Sequence, residues 1–311
     1  MKNTDGKIRQ VRKINKRKSL FVHISAVVLL ILVVFAVKIS FQKRKVKTNS
    51  YLANKVTKAS TTKKHKVDNA KKDDAKKEVV VLRNQISDGG TRTEDALTED
   101  GKKTAYLTFD DGPSTTVTPK ILDTLKANGV HATFFLLGYR IEESSNAADI
   151  VRRNYNEGNA IGNHGYSHDM KKIYRYNGQN VVDVDAFMNE VNRTESILKN
   201  VLGPNFFTRV IRMPGGRMSR VYYKDPNLPK LDEAFKQNNM VSVDWNAYDF
   251  DAEGRKKYAN ELLEKVKSTV QGKNKVIILM HDTYGKEETA KALPNIIQYL
   301  KAQGYEFGTL K

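Results

Sequence analysis

From Thr104 to its end the chain alternates short apolar runs with amphipathic stretches, and that alternation limits the fold more than any other feature. Candidate strands lie at 104–109, 132–138, 159–163, 208–213, 240–246 and 275–281. Helices are expected near 118–128, 147–157, 184–201, 229–239, 257–271 and 288–302. Strands separated by helices pair in parallel, because each return crossing needs a helix's length of chain. The expected domain is therefore α/β, with either an open doubly wound sheet or a closed barrel. Both architectures gather functional groups at the carboxyl ends of the strands. No internal repeat and no glycine-rich phosphate loop is visible.

Charge separates the chain into two parts. The formal net charge is +19, of which +17 falls within residues 1–78, leaving only +2 for the remainder. A nucleic-acid-binding domain carries its own basic face, so the near-neutral remainder argues against a nucleic-acid partner. There is no cysteine, which excludes disulfides, thiolate catalysis and cysteine metal sites.

Residues 1–19 read as a basic cytoplasmic tail. From Leu20 to Val37 no residue carries a formal charge, and Ile39 and Phe41 extend this run past Lys38, whose amine snorkels. Ala36-Val-Lys38 is a poor signal-peptidase site, so residues 20–41 read as an uncleaved, single-pass signal anchor with the amino terminus inside. Residues 42–103 read as a basic, largely disordered linker, with Val79–Leu82 as a short strand or a staple onto the domain. The folded domain is expected over 104–311.

The chemistry-bearing residues cluster at strand ends. Leu107-Thr-Phe-Asp-Asp-Gly-Pro113 is an apolar strand ending in two adjacent carboxylates, Asp110 and Asp111. Helix capping explains one buried carboxylate but not two. His164 and His168 are four residues apart, a spacing that lets two imidazoles grip one cation in a helical turn. The pair alone is weak, but the chain has six histidines and three sit at strand ends. Two imidazoles and one carboxylate are what an open catalytic metal site needs. Arg212, before the Pro214-Gly215-Gly216 turn, is placed to keep a nearby carboxylate ionised, or it is a surface arginine in a plain loop. Trp245, the sole tryptophan, follows Asp244 and reads equally as a core anchor. His281 ends the apolar run Val276–Met280 as either a satisfied core residue or a proton donor.

Taken together, the segment from about Thr104 to Thr309 resembles the polysaccharide deacetylases of carbohydrate esterase family 4, the NodB homology domain. Thr108-Phe-Asp-Asp-Gly-Pro113 matches the first family motif and Asn163-His-x-x-x-His168 the second. Arg212-x-Pro-x-Gly216 matches the third, Asp244-Trp245 the fourth and Leu279-x-His281 the fifth. The resemblance implies a distorted (β/α) barrel of seven or eight strands. It also implies a divalent metal, usually Zn2+, with Co2+, Mn2+ or Ni2+ as substitutes, held by Asp111, His164 and His168. Asp110 would be the general base, oriented by Arg212. His281 would be the general acid, held protonated by Asp244. The backbone N–H of Gly215 would stabilise the oxyanion, and Trp245 and Leu279 would line the acetyl pocket. Gly165 stands where the family has Ser or Thr, which removes a hydroxyl that braces the metal loop. Gly215 stands where the family has a larger residue, which opens the groove.

With an anchored, inside amino terminus, the resemblance implies a membrane protein whose catalytic domain works in the wall space of a Gram-positive bacterium. The expected substrate is the N-acetylglucosamine of peptidoglycan, and no protein partner is implied. Poly-N-acetylglucosamine, chitin oligomers and acetylxylan remain alternatives, as does a non-catalytic wall-binding module. Two histidines and a carboxylate also bind iron(II) in oxygenases, although those sites usually occupy a jelly roll.

Overall fold

A computed structural model describes residues 90–175 and 180–311. The predicted tail, the anchor, the linker up to residue 89 and the Val79–Leu82 segment all lie outside the described residues. Among the described residues no helix is long and apolar enough to cross a membrane.

The strands are β1 (Thr104–Gly112), β2 (Thr133–Leu136), β3 (Ala160–Asn163), β4 (Tyr174–Arg175), β5 (Val181–Val182), β6 (Val210–Ile211), β7 (Val241–Ser242), β8 (Ala247–Tyr248), β9 (Lys275–His281) and β10 (Glu306–Gly308). The main sheet is parallel throughout and runs in the order β7-β6-β3-β2-β1-β9-β8, with β10 beside the first half of β1. The strands β4 and β5 form a separate antiparallel hairpin.

This sheet has to curl. Seven strands laid flat would put the outer two about 29 Å apart at the usual interstrand spacing. The five residue steps from Ser242 on β7 to Ala247 on β8 reach at most about 18 Å. The outer strands are nevertheless not paired with each other among the described residues. The expected seven- or eight-stranded distorted barrel is thus met as a curled α/β sheet whose seam is not closed by strand pairing. The side chain of Arg212 reaches across the inside of this curl, from the end of β6 to Thr108 and Asp110 on β1 and to the carbonyls of Val243 and Asp244 after β7.

The sheet is packed on both faces. Leu107, Phe109, Phe134, Leu136, Ile278 and Met280 are buried against the helices that cover its outer face. Those helices begin and end at the expected signals. Ser144 caps the helix Ser145–Asn156 and Asp183 caps Val184–Leu202 through their side chains, each worth about 1 kcal/mol. Gly129 ends Thr118–Asn128 in the left-handed conformation, φ 62°.

Three features depart from the sequence reading. The strands β8 and β10 and the β4–β5 hairpin were not expected. The short helices Gly138–Ile141, Met170–Ile173 and Arg217–Tyr222 lie where no helix is expected, and Gly138 is the last residue of the expected strand 132–138. The predicted linker also extends too far, because residues 90–103 pack onto the domain. There Thr91 bonds Lys311 through backbone and hydroxyl, and Ala96 is buried in the helix Thr93–Ala96.

Candidate active site

The site forms where β1, β3, β6 and β9 end. Adjacent residues on a regular strand face opposite sides, so Asp110 and Asp111 should diverge. They do not, because the β1–β2 register shifts between Asp110 and Gly112, and Asp111 takes a left-handed backbone conformation with φ 69°. Both carboxylates therefore face one imidazole. The Nε2 atom of His164 lies 3.8 Å from Asp110 Oδ2 and 3.4 Å from Asp111 Oδ1, and His168 Nε2 lies 3.6 Å from Asp111 Oδ1.

Potential ligand atoms of Asp111, His164 and His168 all lie within 4.8 Å of one another. The oxygen Oδ1 of Asp111 is buried without a hydrogen-bond partner. The Nδ1 atom of His164 is 2.6 Å from the Arg212 carbonyl oxygen. A carbonyl can only accept, so Nδ1 carries the proton and the Nε2 lone pair is left for a ligand. This donor set, one orphaned carboxylate oxygen and two converging imidazole nitrogens, fits a divalent metal.

Electrostatics point the same way. Burial opposes ionisation of Asp111, yet His164 and His168 hold its pKa below the usual carboxylate range. Burial also opposes charge on His164, but Asp110 and Asp111 raise its pKa above the ordinary value. Burial and the neighbouring His164 lower the pKa of His168. The cluster holds more carboxylate than it can leave uncompensated, and it draws a proton or a metal ion.

Arg212 is fully buried and connects four parts of the site. It donates to Asp110 Oδ1 at 2.9 Å, to Thr108 Oγ1 at 2.7 Å, and to the carbonyls of Val243 and Asp244 at 3.1 and 3.3 Å. Its guanidinium lies 4.0 Å from the centre of the Phe135 ring. One oxygen of Asp110 is thereby fixed, while the other faces His164.

Asp110 and His281 are register partners on β1 and β9, so their side chains leave the sheet on the same face. Thr108 and Leu279 are the corresponding pair one step inward on that face. The expectation that Asp244 holds His281 is corrected here. His281 Nδ1 pairs at 2.6 Å with Asp251, a residue not singled out in the sequence. Asp244 instead accepts the backbone N–H groups of Arg217 and Met218, both at 2.8 Å. Its carboxylate is committed to the exposed amino end of the helix Arg217–Tyr222, where N–H groups lack helical partners. Burial disfavours charge on His281, but Asp251 outweighs it and raises the His281 pKa to about 9. Thr289 Oγ1 and the backbone N–H of His281 hold the other oxygen of Asp251.

The remaining expected residues surround this centre. Trp245 packs against Gly216, where a Cβ would lie 2.8 Å from its ring. Gly215 has φ 74°, a backbone that an L side chain adopts only with strain. Leu279 is half-buried on β9. The hydroxyl missing at Gly165 does not leave the histidine loop unbraced. Glu190 accepts the backbone N–H groups of Tyr166 and Ser167 and the Ser167 hydroxyl, and Thr194 donates to the Gly165 carbonyl.

A cavity of about 550 Å³ lined by Arg217, Phe235, Met240 and Asp244 borders β7, and none of the metal-site trio lines it.

Comparison with known proteins agrees with this geometry. A protein-family model described as polysaccharide deacetylase matches residues 98–227. A peptidoglycan-N-acetylglucosamine deacetylase of Bacillus cereus is 36% identical over 214 residues, covering 67% of this chain and 67% of that protein. A bifunctional xylanase/deacetylase of Pseudobutyrivibrio xylanivorans is 34% identical over 75% of this chain, which spans only 34% of that longer protein. Among solved structures, a CE4 esterase of Streptococcus mutans superposes with a TM-score of 0.64 at 35% identity, covering 73% of this chain and 94% of that one.

Proposed function

This chain belongs to the polysaccharide deacetylase family, and from that premise we propose that it hydrolyses N-acetyl groups of a cell-wall polysaccharide, namely the N-acetylglucosamine of peptidoglycan. The observation that carries this reading is the pairing of two functions on one strand end. Asp111 joins His164 and His168 in a metal-type cluster, while Asp110, fixed by Arg212, sits opposite His281.

Asp111 and the Nε2 atoms of His164 and His168 would hold a divalent metal, Zn2+ in preference to Co2+, Mn2+ or Ni2+. When bound there, such an ion supplies a Lewis acid that polarises a carbonyl and acidifies water. Asp110 accepts the proton of the attacking water, and Arg212 keeps this carboxylate oriented. The backbone N–H of Gly215 stabilises the oxyanion that develops on the acetyl carbonyl. His281, charged at neutral pH because Asp251 sustains the proton, delivers it to the leaving sugar amine as the C–N bond breaks. Trp245 and Leu279 enclose the acetyl methyl.

Location follows from the amino-terminal sequence. Residues 20–41 act as a membrane anchor, and the segment after them tethers the domain in the wall space of a Gram-positive bacterium. Support comes from the uncharged Leu20–Val37 run between basic flanks. Membrane fractionation, with protease added outside intact cells, tests this placement.

The test of activity is acetate release from purified peptidoglycan and from chitin oligomers, with added zinc and with chelator. Zinc-dependent release with glucosamine in the peptidoglycan digest supports the reading. Release only from chitin or acetylxylan redirects the substrate, and no release from any glycan rejects the activity.

A further inference from the structure

Seven large hydrophobic side chains are exposed among the described residues, and four of them, Met218, Val221, Tyr222 and Tyr223, fall within six consecutive positions. Isolated exposed hydrophobics need no explanation, but a cluster does. Tyr222 is 80% and Tyr223 59% exposed, with ring centres 5.2 Å apart.

The support beneath these rings is unusually firm. A six-residue helix is too short to persist alone. Here Asp244 caps it, and Arg217 makes two hydrogen bonds to Asp232 at 3.1 and 2.6 Å. Arg220 is buried, with its guanidinium 4.2 Å from the centre of the Tyr174 ring and 5.1 Å from that of Tyr223. Tyr174 in turn donates to the Pro214 carbonyl at 2.8 Å, tying this helix to the turn that carries Gly215.

The patch also continues from the site. The helix starts directly after Gly216, and a Cβ on Gly215 would lie 3.3 Å from Met170, two residues beyond His168. By helical rise, Tyr222 lies about 9 Å from Gly216 along the axis, the reach of neighbouring sugars on a chain whose acetyl group occupies the site.

Resting on the deacetylase reading, we propose that Tyr222 and Tyr223 form an outlying platform on which sugar rings of the polysaccharide stack beyond the reacting residue. A rigid tyrosine presents an apolar face and a hydroxyl at low entropic cost. Those features match the C–H face and hydroxyl rim of a pyranose.

The experiment compares wild type with Tyr222→Ala/Tyr223→Ala and with Tyr222→Phe/Tyr223→Phe. Acetate release is measured on chitobiose and on peptidoglycan, with light scattering on each protein. We expect the alanine pair to lose about ten-fold in kcat/KM on peptidoglycan, with chitobiose unaffected and the phenylalanine pair restored to near wild type. Equal loss on both substrates, or no loss, overturns the proposal. Loss accompanied by dissociation of an oligomer also overturns it, because the patch then joins two copies of the chain. Sedimentation with insoluble peptidoglycan, using these pairs in an Asp110→Asn background, reads the platform independently of turnover. If wild type releases no acetate from any glycan, the activity reading fails, and sedimentation alone decides whether the platform binds glycan.

Discussion

His281 and Asp251 form the second charged pair of the site, Nδ1 to Oδ1 at 2.6 Å, across the mouth of β9. This pair and the Arg212–Asp110 pair orient the two side chains that face each other as register partners on β1 and β9. In the proposed reaction Asp110 would be the base, beside a guanidinium, and His281 the acid, beside a carboxylate.

The first prediction concerns pH. With the His281 pKa raised to about 9, wild-type activity falls only as the pH rises through about 9. Asp251→Asn removes the largest raising partner and leaves burial opposed only by the more distant Asp110 and Asp111. The alkaline limb should then move down toward about 6.5, and at that position the rate at neutral pH should fall about four-fold, in step with the protonated fraction of His281. Asp244→Asn, which keeps one of the two cap acceptors, should leave that limb in place. A pH–rate profile of both variants checks this. The stability term has the same sign, since a raised histidine pKa contributes fully below about 6.5 and is lost as the pH rises through about 9.

A second prediction concerns Arg212. Replacement by Met strands a buried carboxylate and two carbonyls inside the curled sheet, and should cost about 3–5 kcal/mol in urea denaturation. Arg212→Lys keeps charge but lacks the fork that reaches Thr108, Asp110, Val243 and Asp244 together. It should recover part of the stability and little of the rate. Stability within 1 kcal/mol of wild type for Arg212→Met, an error-sized change on the scale of such mutations (~1 kcal/mol), would show that Arg212 does not tie β1 to the end of β7.

Glu190 supplies a third. It receives three hydrogen bonds from the loop bearing His168. Glu190→Ala should weaken metal affinity about 10–100-fold, as loss of a ligand-orienting group does. Isothermal titration with zinc measures it, and an unchanged affinity would show that the loop is held elsewhere.

Much of this was legible in the sequence, and the gaps have physical causes. The long strands β1 and β9 and the helices that cover them carry enough apolar period to be seen. The runs 208–213 and 240–246 also signalled β6 and β7, which pair over only two residues each, whereas two-residue β8 carries no period and emerges only because Asn246 and Ala247 dock on β9. Asp110, Asp111, His164 and His168 were visible because adjacent carboxylates and paired imidazoles are costly to bury without use. Their convergence was not, because it depends on the left-handed backbone of Asp111. Asp251 escaped notice because Asp249-Phe-Asp251 reads as an ordinary polar loop. Glu190 lies on the helix Val184–Leu202, where a glutamate reads as a solvent-facing residue. Asp244 drew attention by standing beside the sole tryptophan, and its capping role became visible only with the helix Arg217–Tyr222.

The most direct test of the account separates the two neighbouring carboxylates. Zinc content per chain and acetate release from peptidoglycan are measured on the same preparations of wild type, Asp110→Asn and Asp111→Ala. The account predicts that Asp110→Asn keeps its metal and loses turnover, whereas Asp111→Ala loses both. An Asp111→Ala protein that retains zinc and a normal rate would contradict it.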